Sequence, residues 1–215
     1  MSVRSCVKAV VSSLVLAAAG VIIAAPAAAA GDPARGKTLG YTCLGCHGID
    51  SYKNVYPTYS VPKLRGQHAE YIVAALKAYR AGERGHATMH AHASSLSDQD
   101  MEDIAAYLGG VAVKTAGSKP SGGAVPAAVA TCQACHGTDG VGIMGMYPTL
   151  SGQHADYLEQ ALNDYRKGVR KNGIMAPFAA QLKPEEVAEV AEYFAGQKPE
   201  LKTVPKNEKV LTASK

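Results

Sequence analysis

Two copies of one five-residue pattern, Cys-x-x-Cys-His, constrain this chain more than any other feature. The first copy spans Cys43 to His47 and the second spans Cys132 to His136. The fifth cysteine, Cys6, lies in a short basic stretch at the N-terminus, between Arg4 and Lys8, so four cysteines remain in the body of the chain. An even number of cysteines in an exported protein is typical of disulfide bonds, which are the first alternative. The spacing argues against disulfides because a histidine follows each pair directly.

A gap of two residues on a helical turn allows both thiols to form thioether bonds with the vinyl groups of one haem. The histidine that follows is then placed as an axial ligand of the iron. The sequence therefore predicts two covalently bound haem c groups. The predicted thioether residues are Cys43, Cys46, Cys132 and Cys135, and the predicted axial histidines are His47 and His136.

The first thirty residues predict an export signal. A basic stretch precedes an apolar run from Ala9 to Ile23, and an Ala-x-Ala site ends at Ala30. This order is typical of a cleavable secretory signal, so we assign residues 1–30 to it and expect the mature chain in the periplasm. The apolar run approaches the length of a membrane span, which makes an uncleaved anchor the alternative.

The charge of the chain argues against nucleic-acid binding. The formal net charge is +4, and it falls to +2 when Arg4 and Lys8 leave with the signal. The four propionates of two haems would bring it near neutral or below. Nucleic-acid binding requires a concentrated basic face, which neither value indicates.

The two halves of the mature chain are copies of one unit. An offset of 86 residues aligns Pro62-Lys63-Leu64-Arg65-Gly66-Gln67-His68 with Pro148-Thr149-Leu150-Ser151-Gly152-Gln153-His154. A period of this length indicates a duplicated folded unit, not a solenoid repeat. We assign residues 31–113 to the first domain, 114–124 to a linker and 125–197 to the second domain. The charged tail, 198–215, is expected to lie on the surface or to be disordered.

Each copy predicts helices. Asp32 is expected to cap a helix that begins at Pro33 and runs into the first motif, and Pro126 is expected to open its counterpart. A second helix is predicted from His68 to Ala81, with a copy that ends at Gly168. The last helix of each copy buries an apolar face, formed by Met101, Ile104, Ala105 and Leu108 in the first and by Val187, Val190, Ala191 and Phe194 in the second. Sustained strand alternation is absent from the sequence, so we predict an all-α fold.

The second axial ligand decides whether a haem carries electrons or binds small molecules. Met89 and Met175 pair at the offset of 86, and both are expected in irregular loops that follow the haem motifs. A thioether in that position gives His/Met ligation, which raises the reduction potential. Met144 and Met146 follow His136 too closely to reach the opposite face of the haem. The predicted axial pairs are His47 with Met89 and His136 with Met175.

Alternatives stay open at the first haem because His86, His90 and His92 surround Met89. The second copy lacks these histidines, so the shared fold does not need them. A histidine ligand or an open iron position are the functional alternatives there. The remaining explanations for these histidines are a solvated loop and an adventitious metal site.

Other polar residues shared by the copies have simpler explanations. His68 and His154 each follow Gly-Gln at a helix start, where capping or packing is expected. Arg80 and Arg166 are candidates to pair with haem propionates, or they are solvated at a helix end. Four tyrosines of the first copy are expected to pack on the haem or to bond its propionates, with one or two left for a partner surface. These are Tyr41, Tyr52, Tyr56 and Tyr59.

With these residues in hand, the chain resembles the cytochrome c4 family over essentially all of its mature length. The resemblance rests on the paired haem motifs, the Pro-x-Leu-x-Gly-Gln-His segments, the two methionines and Leu96-Ser97-Asp98-Gln99-Asp100. It implies two cytochrome c-like domains related by a pseudo-twofold axis, with the propionate edges of the haems facing each other. It also implies periplasmic electron transfer, often to a terminal oxidase. The departures are the histidines around Met89 and the tyrosine-rich loop 51–60.

We therefore expect an electron carrier and not an enzyme, working as a monomer with an intramolecular domain pair. Its expected donor is a quinol-oxidising complex or a dehydrogenase, and its expected acceptor is a terminal oxidase; peripheral membrane association is compatible with this role. The alternative is the cytochrome subunit of a larger dehydrogenase, such as a flavocytochrome c sulfide dehydrogenase. A dihaem peroxidase, which needs an open or displaceable ligand, is the third class considered.

Overall fold

The computed structural model describes residues 31–109, 120–121, 124–198 and 200–205. The predicted signal, most of the predicted linker and residues 206–215 lie outside the described residues. Within the described residues the regular structure is helical, and β pairing is limited to isolated bridges. The predicted all-α fold is confirmed. None of the helices in these ranges is both long enough and apolar enough to cross a membrane.

Each copy contributes one half of the helices. The first comprises α1 (Pro33–Leu39), α2 (Leu44–His47), α3 (Ala69–Arg80), α4 (Ala87–Ser94) and α5 (Asp98–Gly109). The second comprises a 3-10 turn (Ala127–Val129), α6 (Gln133–His136), α7 (Ala155–Arg166), α8 (Met175–Gln181) and α9 (Pro184–Ala195).

The first helix is shorter than predicted. Asp32 caps it as expected, because its side chain accepts a hydrogen bond of 2.8 Å from the Ala34 N–H. The helix does not run into the haem motif, since Gly40 takes the C-cap position and α2 begins afresh at Leu44. Glycine is a poor helix former, which favours the break at this position. In the second copy Pro126 precedes only the 3-10 turn.

The helices with the clearest sequence signals lie close to their predicted positions. Glycines with positive φ follow α3 and α7, at +69° for Gly82 and +71° for Gly168. The Ser97 side chain and Asp100 exchange hydrogen bonds at the start of α5, as in a capping box. The predicted apolar faces of α5 and α9 are buried. These four helices supply most of the side chains of the two cores.

Helix α1 crosses α5 at very short range. A Cβ atom on Gly36 would lie 1.8 Å from the carbonyl oxygen of Asp103, so only glycine fits at this crossing. The buried Asp103 side chain accepts a hydrogen bond of 2.8 Å from the Asp32 N–H and forms an ion pair with Arg35. These contacts hold α1 against α5, the last helix of the first domain.

The two domains meet through a reciprocal pair of glutamine side chains. Gln67 donates to the Thr149 carbonyl (3.0 Å) and accepts from the Thr149 N–H (2.9 Å). Gln153 makes the same two bonds with the backbone of Lys63, each at 3.0 Å. Because Gln67 and Lys63 correspond to Gln153 and Thr149 at the repeat offset, the domains are related by a pseudo-twofold axis.

The prediction that the tail lies on the surface is wrong for residues 200–205. Residues 200–205, which we call the returning strap, leave the second domain and pack on the first. Leu201 and Val204 are buried, and Lys202 forms an antiparallel bridge with Arg65. The charged residues around these two apolar side chains made the segment look solvated, whereas its backbone and both apolar side chains face inward.

Candidate haem-binding sites

Each short motif helix places a histidine in the protein interior with one ring nitrogen already engaged. His47 Nδ1 lies 2.8 Å from the Pro62 carbonyl oxygen, and His136 Nδ1 lies 2.9 Å from that of Pro148. A carbonyl oxygen only accepts, so Nδ1 carries the proton and Nε2 is left as a ligand atom. Pro62 and Pro148 correspond at the repeat offset, and both sites are built in the same way.

Burial favours the protonation state that binds iron. It lowers the pKa of His47 to about 4, although the hydrogen bond to Pro62 acts in the opposite direction. Burial also lowers the pKa of His136. Both imidazoles are therefore neutral near pH 7. The motif cysteines are free thiols in this structure, so the disulfide alternative receives no support.

A cleft that is partly open to solvent runs alongside the first motif. Cys43, Cys46 and His47 lie on its walls, and Met89 also lines it. The rest of the lining is largely apolar and includes Leu39, Ile72, Leu76, Ile104 and Leu108. A large planar ring with polar groups at one edge fits such a cleft, so the residues present suit a haem.

The two candidate methionines lie in helices, and their predicted placement in irregular loops is wrong. Met89 is in the first turn of α4, and Met175 is the first residue of α8. His86 Nδ1 accepts a hydrogen bond of 3.2 Å from the Met89 N–H. Asn172 Oδ1 accepts one of 2.9 Å from the Met175 N–H. The histidine and the asparagine occupy equivalent positions, and each side chain accepts from the methionine N–H three residues later. His86 is the N-cap of α4, whereas the N-cap of α8 is Ile174 and Asn172 lies two residues before it.

The other histidines near Met89 have distinct surroundings. His90 Nδ1 donates to the Tyr79 carbonyl oxygen at 2.7 Å. His92 is exposed and also lines the cleft, three residues from Met89 on the same helix. Within the described ranges, no three histidine, cysteine or acidic side chains are grouped as a metal site would require.

The arginines nominated for propionate binding are engaged elsewhere. Arg80 donates to the Leu96 carbonyl and to Asp98, and Arg166 donates to Asn163. Two arginines that the sequence reasoning missed, Arg84 and Arg170, are each 8% exposed and meet across the domain interface. Their correspondence at the repeat offset is the signal that would have identified them.

Arg84 and Arg170 make reciprocal contacts. The guanidinium of Arg84 lies 4.5 Å from the Tyr79 ring centroid and donates to Tyr157 Oη of the other domain at 2.6 Å. Arg170 lies 4.5 Å from the Tyr165 ring centroid and donates to Tyr71 Oη at 2.6 Å. Burial alone would raise the pKa of Tyr71, but Arg170 and Arg84 lower it to about 8.

Neither buried arginine forms an ion pair with a carboxylate of the described chain. The partly buried carboxyl of Asp164 interacts electrostatically with both guanidiniums. Because buried charges are costly, further anions beside the two arginines would be stabilised. Arg84 lines the first cleft, together with Tyr71 and Tyr157. Haem propionates are anions that suit a guanidinium fork, and the charge at the domain interface therefore also fits bound haem.

The tyrosines of the first copy separate into two groups. Tyr59 lines the cleft, and its ring centroid lies 6.4 Å from that of Tyr157. Tyr41, Tyr52 and Tyr56 are exposed. Packing on the haem is therefore supported for Tyr59 and not for these three.

The histidines that open α3 and α7 are N-cap residues by position, but neither side chain caps its helix. His68 Nε2 lies 3.1 Å from the Gly142 carbonyl oxygen of the second domain, so this side chain contributes to the interface. The His68 and His154 N–H groups donate to the side chains of Gln67 and Gln153. Packing, not capping, is the role that the geometry supports for His68.

Comparison with known proteins agrees with this geometry. The family described as cytochrome c matches residues 33–112 and 123–198. Cytochrome c4 of Pseudomonas aeruginosa is 34% identical over 183 residues, which cover 78% of this chain and 90% of that protein. A thiosulfate dehydrogenase electron acceptor of Stutzerimonas stutzeri is 35% identical, covering 73% of this chain and 80% of its own length.

The crystal structure of reduced recombinant cytochrome c4 from Pseudomonas stutzeri superposes with a TM-score of 0.61. It is 31% identical in sequence, and the match covers 79% of this chain and all of that one. Two haem c groups and an electron-carrier role follow from the two matched domains, the two motifs and these relatives. The chain belongs to the cytochrome c family and, within it, to the dihaem cytochromes c4.

Proposed function

We propose that this protein relays electrons in the periplasm from a quinol-oxidising complex or a dehydrogenase to a terminal oxidase. The observation that carries the proposal is the reciprocal Arg84–Tyr157 and Arg170–Tyr71 contact, which links equivalent positions of the two domains beside the first cleft. When bound, each haem supplies a one-electron iron couple. Electron transfer between two haems of one chain is favoured when the sites lie close together in a fixed geometry, and the reciprocal contacts between the domains support this.

The axial ligands belong to the proposal. His47 and Met89 would hold the first iron, and His136 and Met175 the second. The hydrogen bonds from His47 and His136 to proline carbonyls orient the imidazoles. The hydrogen bonds that the His86 and Asn172 side chains accept hold the backbone of the two methionines. His92 is the alternative ligand at the first iron, because it lines the same cleft.

Substitution of each methionine tests the ligands. The methionine–iron charge-transfer band, at the red end of the visible spectrum, should fall by about half in Met89→Ala and in Met175→Ala, and should vanish in the double variant. Met144→Ala and Met146→Ala are matched controls, since both side chains are exposed. An unchanged band in Met89→Ala would exclude Met89 as a ligand. A change in the visible spectrum of the first haem in His92→Ala would then identify His92 as the ligand.

The partners are proposed on chemical grounds. The terminal oxidase is the acceptor we expect for a carrier with His/Met haems of raised potential. Oxidation of the reduced protein by membranes that contain a terminal oxidase tests it, with a cyanide-treated sample as control. Oxidation that cyanide does not inhibit would point to a different acceptor.

A second candidate function is favoured by a relative of the chain that is named for its electron donor. The similarity to a thiosulfate dehydrogenase electron acceptor supports a role as acceptor or cytochrome subunit of a dehydrogenase, in the same class as the flavocytochrome alternative. Reduction of the oxidised protein by a purified dehydrogenase with its sulfur substrate would support this role. Stable co-purification with that enzyme would distinguish a subunit from a free carrier.

The remaining assignments are part of the same proposal. Residues 1–30 are removed on export, 31–113 and 125–197 form the two domains, and 114–124 link them. The pairing of the domains within one chain favours a monomer. Mass spectrometry of the exported protein should give a chain that begins at Gly31 and carries two haems, and light scattering should give one chain per particle.

A further inference from the structure

The returning strap contacts equivalent positions of both domains. The Leu201 N–H donates to the Ser151 carbonyl oxygen at 3.2 Å, and the Lys202 N–H donates to that of Arg65 at 2.9 Å. Arg65 and Ser151 correspond at the repeat offset. Two consecutive strap residues therefore bond to equivalent carbonyls, and the strap crosses the pseudo-twofold axis between them.

Beyond the axis the strap enters the first domain only. Val204 is fully buried, and it belongs to the core cluster that contains Leu44 of the first haem motif. The Val204 N–H donates to the carbonyl oxygen of His47 at 3.2 Å. The strap thus supplies both an apolar side chain and a hydrogen bond directly behind one predicted haem ligand.

The backbone after the two motif histidines differs between the domains. Gly48 has a φ of −102° and lies against the strap, where an added Cβ would be 3.2 Å from the Val204 carbonyl oxygen. Its counterpart Gly137 has a φ of +74° and packs on a loop of its own domain, near Val141. Two motifs of the same pattern therefore pack against different segments, the strap in the first domain and a loop of its own domain in the second.

We propose that the returning strap positions the axial histidine of the first haem, and that it makes the two haems of the duplicated protein inequivalent. Hydrogen bonds and apolar packing behind a ligand set its orientation and its access to water. Apolar burial favours the less charged ferrous state, so loss of the strap lowers the potential of the first haem. Val204 is the positioning residue, and the inference rests on the proposed ligation by His47.

Two truncations separate the strap from the residues beyond it. A stop codon at position 200 removes the strap, whereas a stop codon at 206 retains it and is the matched control. The shorter chain should shift the oxidation equilibrium of the first haem by about threefold to tenfold, which is about 30–60 mV for one electron. A Met175→His background identifies the first haem, because it lowers the potential of the second.

Point variants keep the test decisive if the shorter chain does not accumulate. Val204→Ala should shift the first potential in the same direction, whereas Val129→Ala, at an equally buried valine of the second domain, should not. Lys202→Pro removes the N–H bonded to Arg65 and leaves Val204 unchanged in sequence. Hydrogen exchange should rise in the segment 43–48 and not in 132–137.

The readouts distinguish the ways in which the idea could fail. Faster exchange in 43–48 with no change in potential would mean that the strap packs on the motif without acting on a ligand. Equal shifts of both haems, or unchanged exchange in the shorter chain, would overturn the proposal. Spectral evidence that His47 is not a ligand would refute the proposed function separately, because the exchange measurement does not depend on ligation.

Discussion

Arg84 and Tyr157 belong to different domains and are joined by a hydrogen bond of 2.6 Å from the guanidinium to the phenol oxygen. The same contact recurs between Arg170 and Tyr71. Two buried cations therefore lie side by side at the domain interface, each held by a tyrosine of the opposite domain. This arrangement makes the electrostatics of each haem site depend on both halves of the chain.

Replacement of Arg84 should lower the potential of the first haem. A nearby positive charge favours the reduced state, since reduction removes one positive charge from the iron. Arg84→Gln should therefore shift the oxidation equilibrium by about threefold to tenfold, or about 30–60 mV. Arg84→Lys, which keeps the charge, should recover part of the shift, and Arg80→Gln should leave both potentials unchanged. A redox titration measures all three, and an unshifted Arg84→Gln would place the anion site elsewhere.

The glutamine pair should control domain docking. Gln67→Ala leaves the buried N–H and carbonyl of Thr149 without their partner, at a cost of about 2–4 kcal/mol. Gln153→Ala should have a similar effect because it makes equivalent bonds. Small-angle scattering should show a larger radius of gyration in the double variant, and chemical denaturation should separate into two transitions. A single transition at the wild-type midpoint would show that the interface does not depend on these bonds.

The residue before α4 should tolerate the side chain found in the other copy. His86→Asn restores the oxygen acceptor seen at Asn172, so stability and the methionine band should be retained. His86→Ala removes the cap and should reduce the free energy of unfolding by about 1 kcal/mol. Thermal denaturation with the visible spectrum tests both. Equal behaviour of the two variants would show that the cap is not needed.

Gly36 should be irreplaceable where the first and last helices of domain one cross. A Cβ there would overlap the Asp103 carbonyl, so Gly36→Ala must separate the two helices. We expect a loss of roughly 2–4 kcal/mol in the free energy of unfolding, within the range of severe packing defects. Gly45→Ala is the matched control, because nothing lies within 4 Å of an added Cβ and the second copy has Ala134 there.

The hydrogen bonds and ion pair of the Asp103 carboxylate should make the stability of the first domain sensitive to acid. Burial alone would raise the pKa of Asp103, but hydrogen bonds from Asp32 and Gln99 and the ion pair with Arg35 hold it below 3.8. The folded state thus binds its proton more weakly than the unfolded chain, so the stabilisation is complete above about pH 4 and is lost as pH falls through the lowered pKa. Urea denaturation from pH 6 to pH 3 measures this loss.

Asp103→Asn tests that explanation. The variant should be less stable than wild type at pH 6 by about 2 kcal/mol, since it weakens a charged hydrogen-bond network. Its stability should change less between pH 4 and pH 3. Asp98→Asn is the control at an exposed position, where the effect should be small. Parallel pH profiles of Asp103→Asn and wild type would contradict the assignment.

The sequence predicted the parts of the fold whose signals are local. Helices α3 and α5 and their copies combine apolar periodicity with capping residues or a terminating glycine. The bounds that were predicted, both ends of α3, the start of α5 and the end of α7, lie within about one or two residues of the structure. The haem motifs are also local and predicted both cofactors. The short helices α4 and α8 were missed because they have little apolar periodicity of their own, their positions being set by packing on longer helices.

Long-range features were not readable from one sequence. Arg84 and Arg170 look like surface residues, and only the folded interface shows that they are buried together. Leu201 and Val204 are separated by charged or polar residues, so the strap resembled a solvated tail. In each case the deciding contact joins residues that are far apart along the chain, and its pattern does not appear in any short window.

Val204 follows the whole of the second domain in the chain, yet it fills the core of the first. A nascent chain emerges from its N-terminal side, so the first domain is made before the residue that completes it. The first domain should therefore reach its final packing only after the second has folded and delivered the strap. A duplication that produced two equivalent units has in this way acquired an order of assembly, in which the half made first is finished last.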